Sequence, residues 1–167
     1  MEIKQIFKKG QKFAGSKGLV FIDDSYVLVP QRDGGTDFYP NYDDLPGGCQ
    51  EPRETPFETF QRELMEEMGV HVVPEEISYA VSRPDIDNES EELFFMVANL
   101  HHDTRKQIKF GDEGKGYLVI QLDQLLTDRQ FIPGYKDLVK EYLEYAENHR
   151  HPLHNKRGHL ADHLALA

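Results

Sequence analysis

Apolar and polar positions alternate in blocks along the chain, and the blocks predict elements. Residues 18–22 and 26–30 are β-rich and apolar, with Asp23, Asp24 and Ser25 between them, which predicts a hairpin. A loop rich in Gly, Asp, Tyr and Pro follows over 33–44, and Leu45-Pro46-Gly47-Gly48 is too glycine-rich for a regular element. Thr55-Pro56-Phe57-Glu58 joins a capping box to a proline in the first helical turn, and Gly69 is placed to end that helix. At 3.6 residues per turn Phe57, Phe60, Leu64, Met65 and Met68 share one side, and Glu63, Glu66 and Glu67 share the other. Strand-like blocks follow at 77–82, 93–100, 107–110 and 117–122, then a short helical turn at 123–126. A second helix is predicted over 136–147, with Leu138, Val139, Tyr142 and Leu143 inward. This order predicts an α/β (α+β) fold in which a mixed sheet is sandwiched between helices.

The 167 residues suit a single domain, read as 1–148. The tail over 149–167 carries five of the eight histidines. It is read either as a docking segment, helped by an amphipathic GHLADHLALA, or as disordered. His159 and His163 stand four apart, a spacing that suits a metal pair on a helix or two surface side chains. One cysteine, Cys49, excludes a disulfide framework. No apolar run approaches a membrane span and the basic start has no apolar signal core, so a cytoplasmic setting without membrane contact is expected.

Charge sharpens this picture. The net charge of −11 argues against a grip on nucleic-acid polymers. It is also concentrated. Residues 43–67 hold eight acids against two bases, and residues 85–92 hold five acids and no base. The second block reads as a solvated loop. The first includes the helix face of Glu63, Glu66 and Glu67, where like charges repel. Either water screens them or a cation sits among them, and hard oxygen ligands suit Mg²⁺, with Mn²⁺ as a substitute.

Gly48, five residues, Glu54, seven residues, then Arg62-Glu63-Leu64, Glu66-Glu67 and Gly69-Val70 match all nine specified positions of a Nudix box. Leu45-Pro46-Gly47 fits its usual lead-in, and the chain resembles a MutT-like Nudix hydrolase. The resemblance implies that the Gly47 carbonyl and Glu63, Glu66 and Glu67 hold divalent cations, with the glutamates serving catalysis. Gly48, Glu54 and Arg62 would support the loop and helix, Arg62 by pairing with a loop carboxylate. The implied reaction is hydrolysis of the pyrophosphate linkage of a nucleoside triphosphate or modified nucleotide, by a monomer or homodimer.

Further residues follow from the resemblance. Glu113, in Phe110-Gly111-Asp112-Glu113-Gly114, is similar to a MutT-type glutamate that reaches the metal site, and otherwise belongs to a glycine-rich turn. Arg32, and more weakly Arg83, match arginines that contact substrate, and otherwise form surface ion pairs. Phe38, Tyr39 and Tyr42 either wall a base-binding cleft or pack the loop. No Asn lies between Asn99 and Asn148, so the residue with which MutT reads an oxidised guanine has no counterpart here. Two other readings stand beside the first: an ADP-ribose or nucleotide-sugar pyrophosphatase, and a Nudix-fold sensor that binds nucleotides without cleaving them.

Overall fold

β1 (Gly15–Phe21) runs through the middle of the sheet because it is apolar on both faces, and each face meets its own core. Leu19 and Phe21 join one cluster while Val20 joins the other. The computed structural model describes residues 3–101, 103, 106–109 and 116–149. Its other strands are β2 (Tyr26–Gln31), β3 (Gly47–Cys49), β4 (Ile77–Pro84), β5 (Glu92–Asn99) and β6 (Gly116–Gln121). They form a sheet in the order β4-β5-β1-β2-β6, with β3 paired to β1 off this path. β1 runs parallel to β5 and antiparallel to β2 and β3, so the sheet is mixed.

Helix α1 (Pro56–Met68) covers one face. Phe57, Phe60, Leu64 and Met68 pack there with Val20, Leu28, Phe94 and Met96. Helix α3 (Pro133–Asn148) covers the other, where Tyr135, Leu138, Val139, Tyr142 and Leu143 meet Leu19, Phe21, Val27 and Phe95. The short helix α2 (Leu122–Thr127) links β6 to α3. Period-two alternation in β1 and β5 thus feeds two cores at once, as expected of a sheet buried on both sides. No helix among the described residues is long and apolar enough to cross a membrane.

Three expectations change. The glycine-rich 45–48 segment is partly a strand, because Gly47 and Gly48 pair with Lys17 and Ser16 of β1. Residues 107–109 form a turn and irregular chain rather than a strand; Lys109 N–H donates to the carbonyl of Met68 and so pairs with a helix end. Met65 does not face inward. It lies 43% exposed, since α1 buries a stripe too narrow to include it. The acidic 85–92 segment is a loop as expected, with Asp87, Glu89, Glu91 and Glu92 exposed, Ile86 packed against the α3-side core and Glu92 opening β5. Phe110, Glu113, His151, His154, His159 and His163 lie outside the described residues, and His149 closes α3 with its ring stacked on Tyr145.

Candidate metal and nucleotide site

The acidic helix face is held in place from both ends of α1. At the start, Thr55 Oγ1 accepts from the Glu58 amide at 3.2 Å and the Glu58 carboxylate accepts from the Thr55 amide at 2.8 Å. At the end, Gly69 takes the left-handed conformation (φ 63°) and its N–H reaches the carbonyls of Leu64 and Met65.

Arg62 organises the face. Its Nε donates to Glu54 at 2.8 Å, and its Nη2 donates to the Cys49 carbonyl at 2.9 Å and to Glu54 at 3.2 Å. Its Nη1 donates to Glu63 at 2.7 Å and to Glu66 at 3.1 Å. Glu54 also accepts from the Glu51 amide and the Thr59 hydroxyl. Burial works against the Glu54 charge, but Arg62, the Glu51 amide and Thr59 together hold its carboxyl below the usual range. Its bonds to Glu54 and then Glu63 raise the Arg62 guanidinium against the cost of burial, and it stays charged.

Glu67 differs from its two neighbours. It has no contact with Arg62, and its carboxylate accepts from the Gly47 amide at 3.3 Å. Burial pushes its carboxyl up to about 7, partly offset by Lys17 and the Gly47 amide and reinforced by Glu63 and Asp44. A cation held there therefore competes with a proton near neutral pH.

Among the described residues no three acidic, histidine or cysteine side chains converge on one point. Glu63 and Glu66 instead converge on one positively charged nitrogen, Arg62 Nη1, which shows that both reach a single cationic centre. The donor set of Glu63, Glu66, Glu67 and the Gly47 carbonyl is all oxygen, which fits a hard divalent cation. Gly48 keeps room for the Glu63 carboxylate. A Cβ there would stand 2.5 Å from the Glu63 carboxylate, whereas a Cβ on Gly47 (φ 119°) would stand 2.1 Å from the Ser16 carbonyl. The two glycines therefore predict opposite outcomes. Gly48→Ala is expected to push a flexible carboxylate aside and lower metal-dependent activity at least about tenfold, with the thermal midpoint little changed. Gly47→Ala is expected to lower the midpoint by several degrees, because backbone must move. Thermal melts and assays of both variants check this.

Beyond the box, Arg32 Nη1 donates to Asp44 at 3.0 Å. Arg83 is tied to Glu141 of α3, with its Nε 3.0 Å from one carboxylate oxygen, on the side of the sheet where β4 forms the edge. Phe38 is 62% exposed, whereas Tyr39 and Tyr42 meet edge to face at 5.5 Å and pack against the α3-side core. Gly47, Gly48, Glu54, Arg62, Glu63, Glu66 and Glu67 thus come together, with Arg32 joined to the same region through Asp44 and Lys17. Arg83 does not join them. Sequence reasoning missed Lys17, Asp43, Asp44 and Arg129. A lone lysine inside an apolar strand and two adjacent aspartates before Leu45-Pro46-Gly47 were the available signals. A concave patch lined by Lys12, Phe13, Glu51, Arg53 and Glu92 includes none of the acidic face.

A NUDIX domain model matches residues 14–142. The fold is similar to that of the MutT protein from Methanosarcina mazei Go1, at 20% identity over 80% of this chain and 94% of that one, with a TM-score of 0.61. It is similar to MutT studied from Aliivibrio salmonicida and Vibrio cholerae, at 23% identity over 78% and 96% of the chains, TM-score 0.58. A bifunctional NMN adenylyltransferase/ADP ribose pyrophosphatase from Francisella tularensis, complexed with AMP and a Mn ion, aligns at 21% identity over 86% of this chain and 45% of that one, TM-score 0.58. No curated protein matches the sequence. With the box complete and the domain match spanning all six described strands, α1 and the first part of α3, the chain belongs to the Nudix family of pyrophosphohydrolases.

Proposed function

We propose that the protein is a Mg²⁺-dependent hydrolase that cleaves the pyrophosphate linkage of a nucleoside triphosphate or modified nucleotide. The observation that carries this reading is the acidic face of α1, where Glu63 and Glu66 already share one cationic partner and Glu67 is braced by the Gly47 amide. When bound there, a divalent cation would activate water and neutralise charge on the phosphoryl oxygens. Gly47, Glu63, Glu66 and Glu67 would hold it, with Glu113 as a further ligand or general base. Arg32 would meet a substrate phosphate, and Phe38 would stack on the base, with Tyr39 and Tyr42 shaping the loop behind it. Arg83, already paired with Glu141, is a poorer candidate for substrate.

The neighbour that carries an ADP ribose pyrophosphatase and a Mn ion supports a second reading, cleavage of ADP-ribose or a nucleotide sugar. The full set of box carboxylates argues against a sensor that binds without cleaving. Chromatography of the nucleotide products formed with Mg²⁺ from deoxynucleoside triphosphates, dinucleoside polyphosphates, ADP-ribose and nucleotide sugars separates the readings. Turnover of the triphosphates is expected. Tight nucleotide binding with no turnover across the panel would favour the sensor instead.

A further inference from the structure

The loop before the box ends in Asp43 and Asp44, and the two side chains point into different networks. Asp44 is buried, and its Oδ2 accepts from two cations that come from different strands: Lys17 Nζ of β1 at 3.2 Å and Arg32 Nη1, just after β2, at 3.0 Å. Its Oδ1 accepts from the Leu45 amide at 2.6 Å, which fixes the carboxylate against its own backbone. Lys17 also donates to the Leu45 carbonyl at 3.1 Å, lies 5.7 Å from the Tyr135 ring centre, and pairs through its backbone with Gly47. Two cations thus share one carboxylate, and Lys17 also lies within electrostatic reach of Glu67. Arg32 Nε is buried with no acceptor among the described residues.

Asp43 faces the other way and is held more tightly still. Its carboxylate accepts from Arg129 Nη2 at 2.9 Å and from Gln31 Nε2 at 3.3 Å. Its amide donates to the Gln130 carbonyl at 2.8 Å, and its carbonyl accepts from the Ile132 amide at 3.2 Å. The segment leading into α3 is thereby stitched to the residue next to Asp44. Nothing in the box requires this arrangement.

We infer that Asp44 is a positioning residue, which sets Arg32 and Lys17 to receive a nucleotide's phosphate chain, and that Arg129 acts one step behind it by fixing Asp43. The inference rests on the pyrophosphohydrolase reading for the identity of the anion. Asn at 44 keeps the shape and one acceptor but removes the charge that both cations share.

The test compares wild type with Asp44→Asn, Arg32→Met, the double variant, Arg129→Met and Arg129→Lys. ADP affinity is measured by calorimetry with Ca²⁺, and KM and kcat are measured on the best substrate of the panel. Asp44→Asn is expected to weaken ADP binding and raise KM about tenfold, with kcat within about threefold of wild type. The double variant is expected to lose less than the product of the two single losses, because Asp44 acts through Arg32. Arg129→Met is expected to move KM in the same direction, with Arg129→Lys intermediate, since lysine keeps the charge without the fork. Unchanged ADP affinity and KM in Asp44→Asn, even with a lower thermal midpoint, overturns the inference, as do fully multiplying losses in the double variant. A wild type that binds ADP but cleaves nothing defeats the pyrophosphohydrolase reading alone, and the binding arm still decides the role of Asp44. A wild type with no affinity for ADP overturns the role as well.

Discussion

Glu67→Gln is expected to lower Mg²⁺-dependent turnover at least about 100-fold while leaving the protein folded, on the scale of removing one preorganised electrostatic contact from a site. The isosteric amide keeps an oxygen to accept from the Gly47 N–H, so the loop loses no partner. It removes the charge from a glutamate whose burial already resists ionisation. That burial also sets an expected sign for stability. In the metal-free protein the Glu67 carboxyl titrates near 7 rather than 4.5. As pH rises from about 4.5 to 7 the unfolded chain ionises this group while the folded chain resists, so wild type loses stability across that window. Gln has no such cost. The variant's thermal midpoint in chelator is therefore expected to exceed that of wild type above pH 7, with the gap closing toward pH 4.5. Turnover and melts over this range check both parts. Undiminished turnover would remove Glu67 from the machinery.

Arg62→Met is expected to be the most damaging single change to the fold around the box. The guanidinium serves Glu54, Glu63, Glu66 and the Cys49 carbonyl at once, and among the described residues no other cation pairs with Glu54, Glu63 or Glu66. Removing it leaves Glu54 charged and largely buried, and frees two carboxylates to repel each other. Breaking such a pair costs about 3 kcal/mol, which for a domain of this size lowers the thermal midpoint by roughly 6–12 °C. Arg62→Lys is expected to fall between, because an ammonium cannot span Glu54 and Cys49 as a fork does. Saturating Mg²⁺ should recover part of the loss, since a cation among Glu63 and Glu66 replaces the missing charge and binds only the folded state. A midpoint within about 2 °C of wild type would show that Arg62 does not organise the face.

Much of this was readable from local pattern. The capping box at Thr55, the left-handed Gly69 and the buried stripe of α1 each depend on residues within a turn of one another. Their outcome was local, and it matched. Periodicity places Met65 inward because it describes a helix face without saying how wide the covering sheet is. β3 was missed because glycines carry no strand preference; what makes Gly47 and Gly48 a strand is the edge of β1 beside them. Residues 43–69 read as one acidic, glycine-bearing block, and its resemblance to the Nudix box implies a metal.

By itself, then, the sequence determined the helix, its caps, its acidic face and the family whose box that face completes. These are properties of short separations along the chain, set by backbone geometry and side-chain reach. Only the tertiary structure decided which cations meet which carboxylates. Arg62 reaches back to Glu54 and Cys49, Lys17 and Arg32 share Asp44, Arg129 holds Asp43 across 86 residues, and Arg83 turns away to Glu141. Electrostatic partners are chosen by distance and burial in the folded sheet, and a linear pattern of charges does not contain those distances.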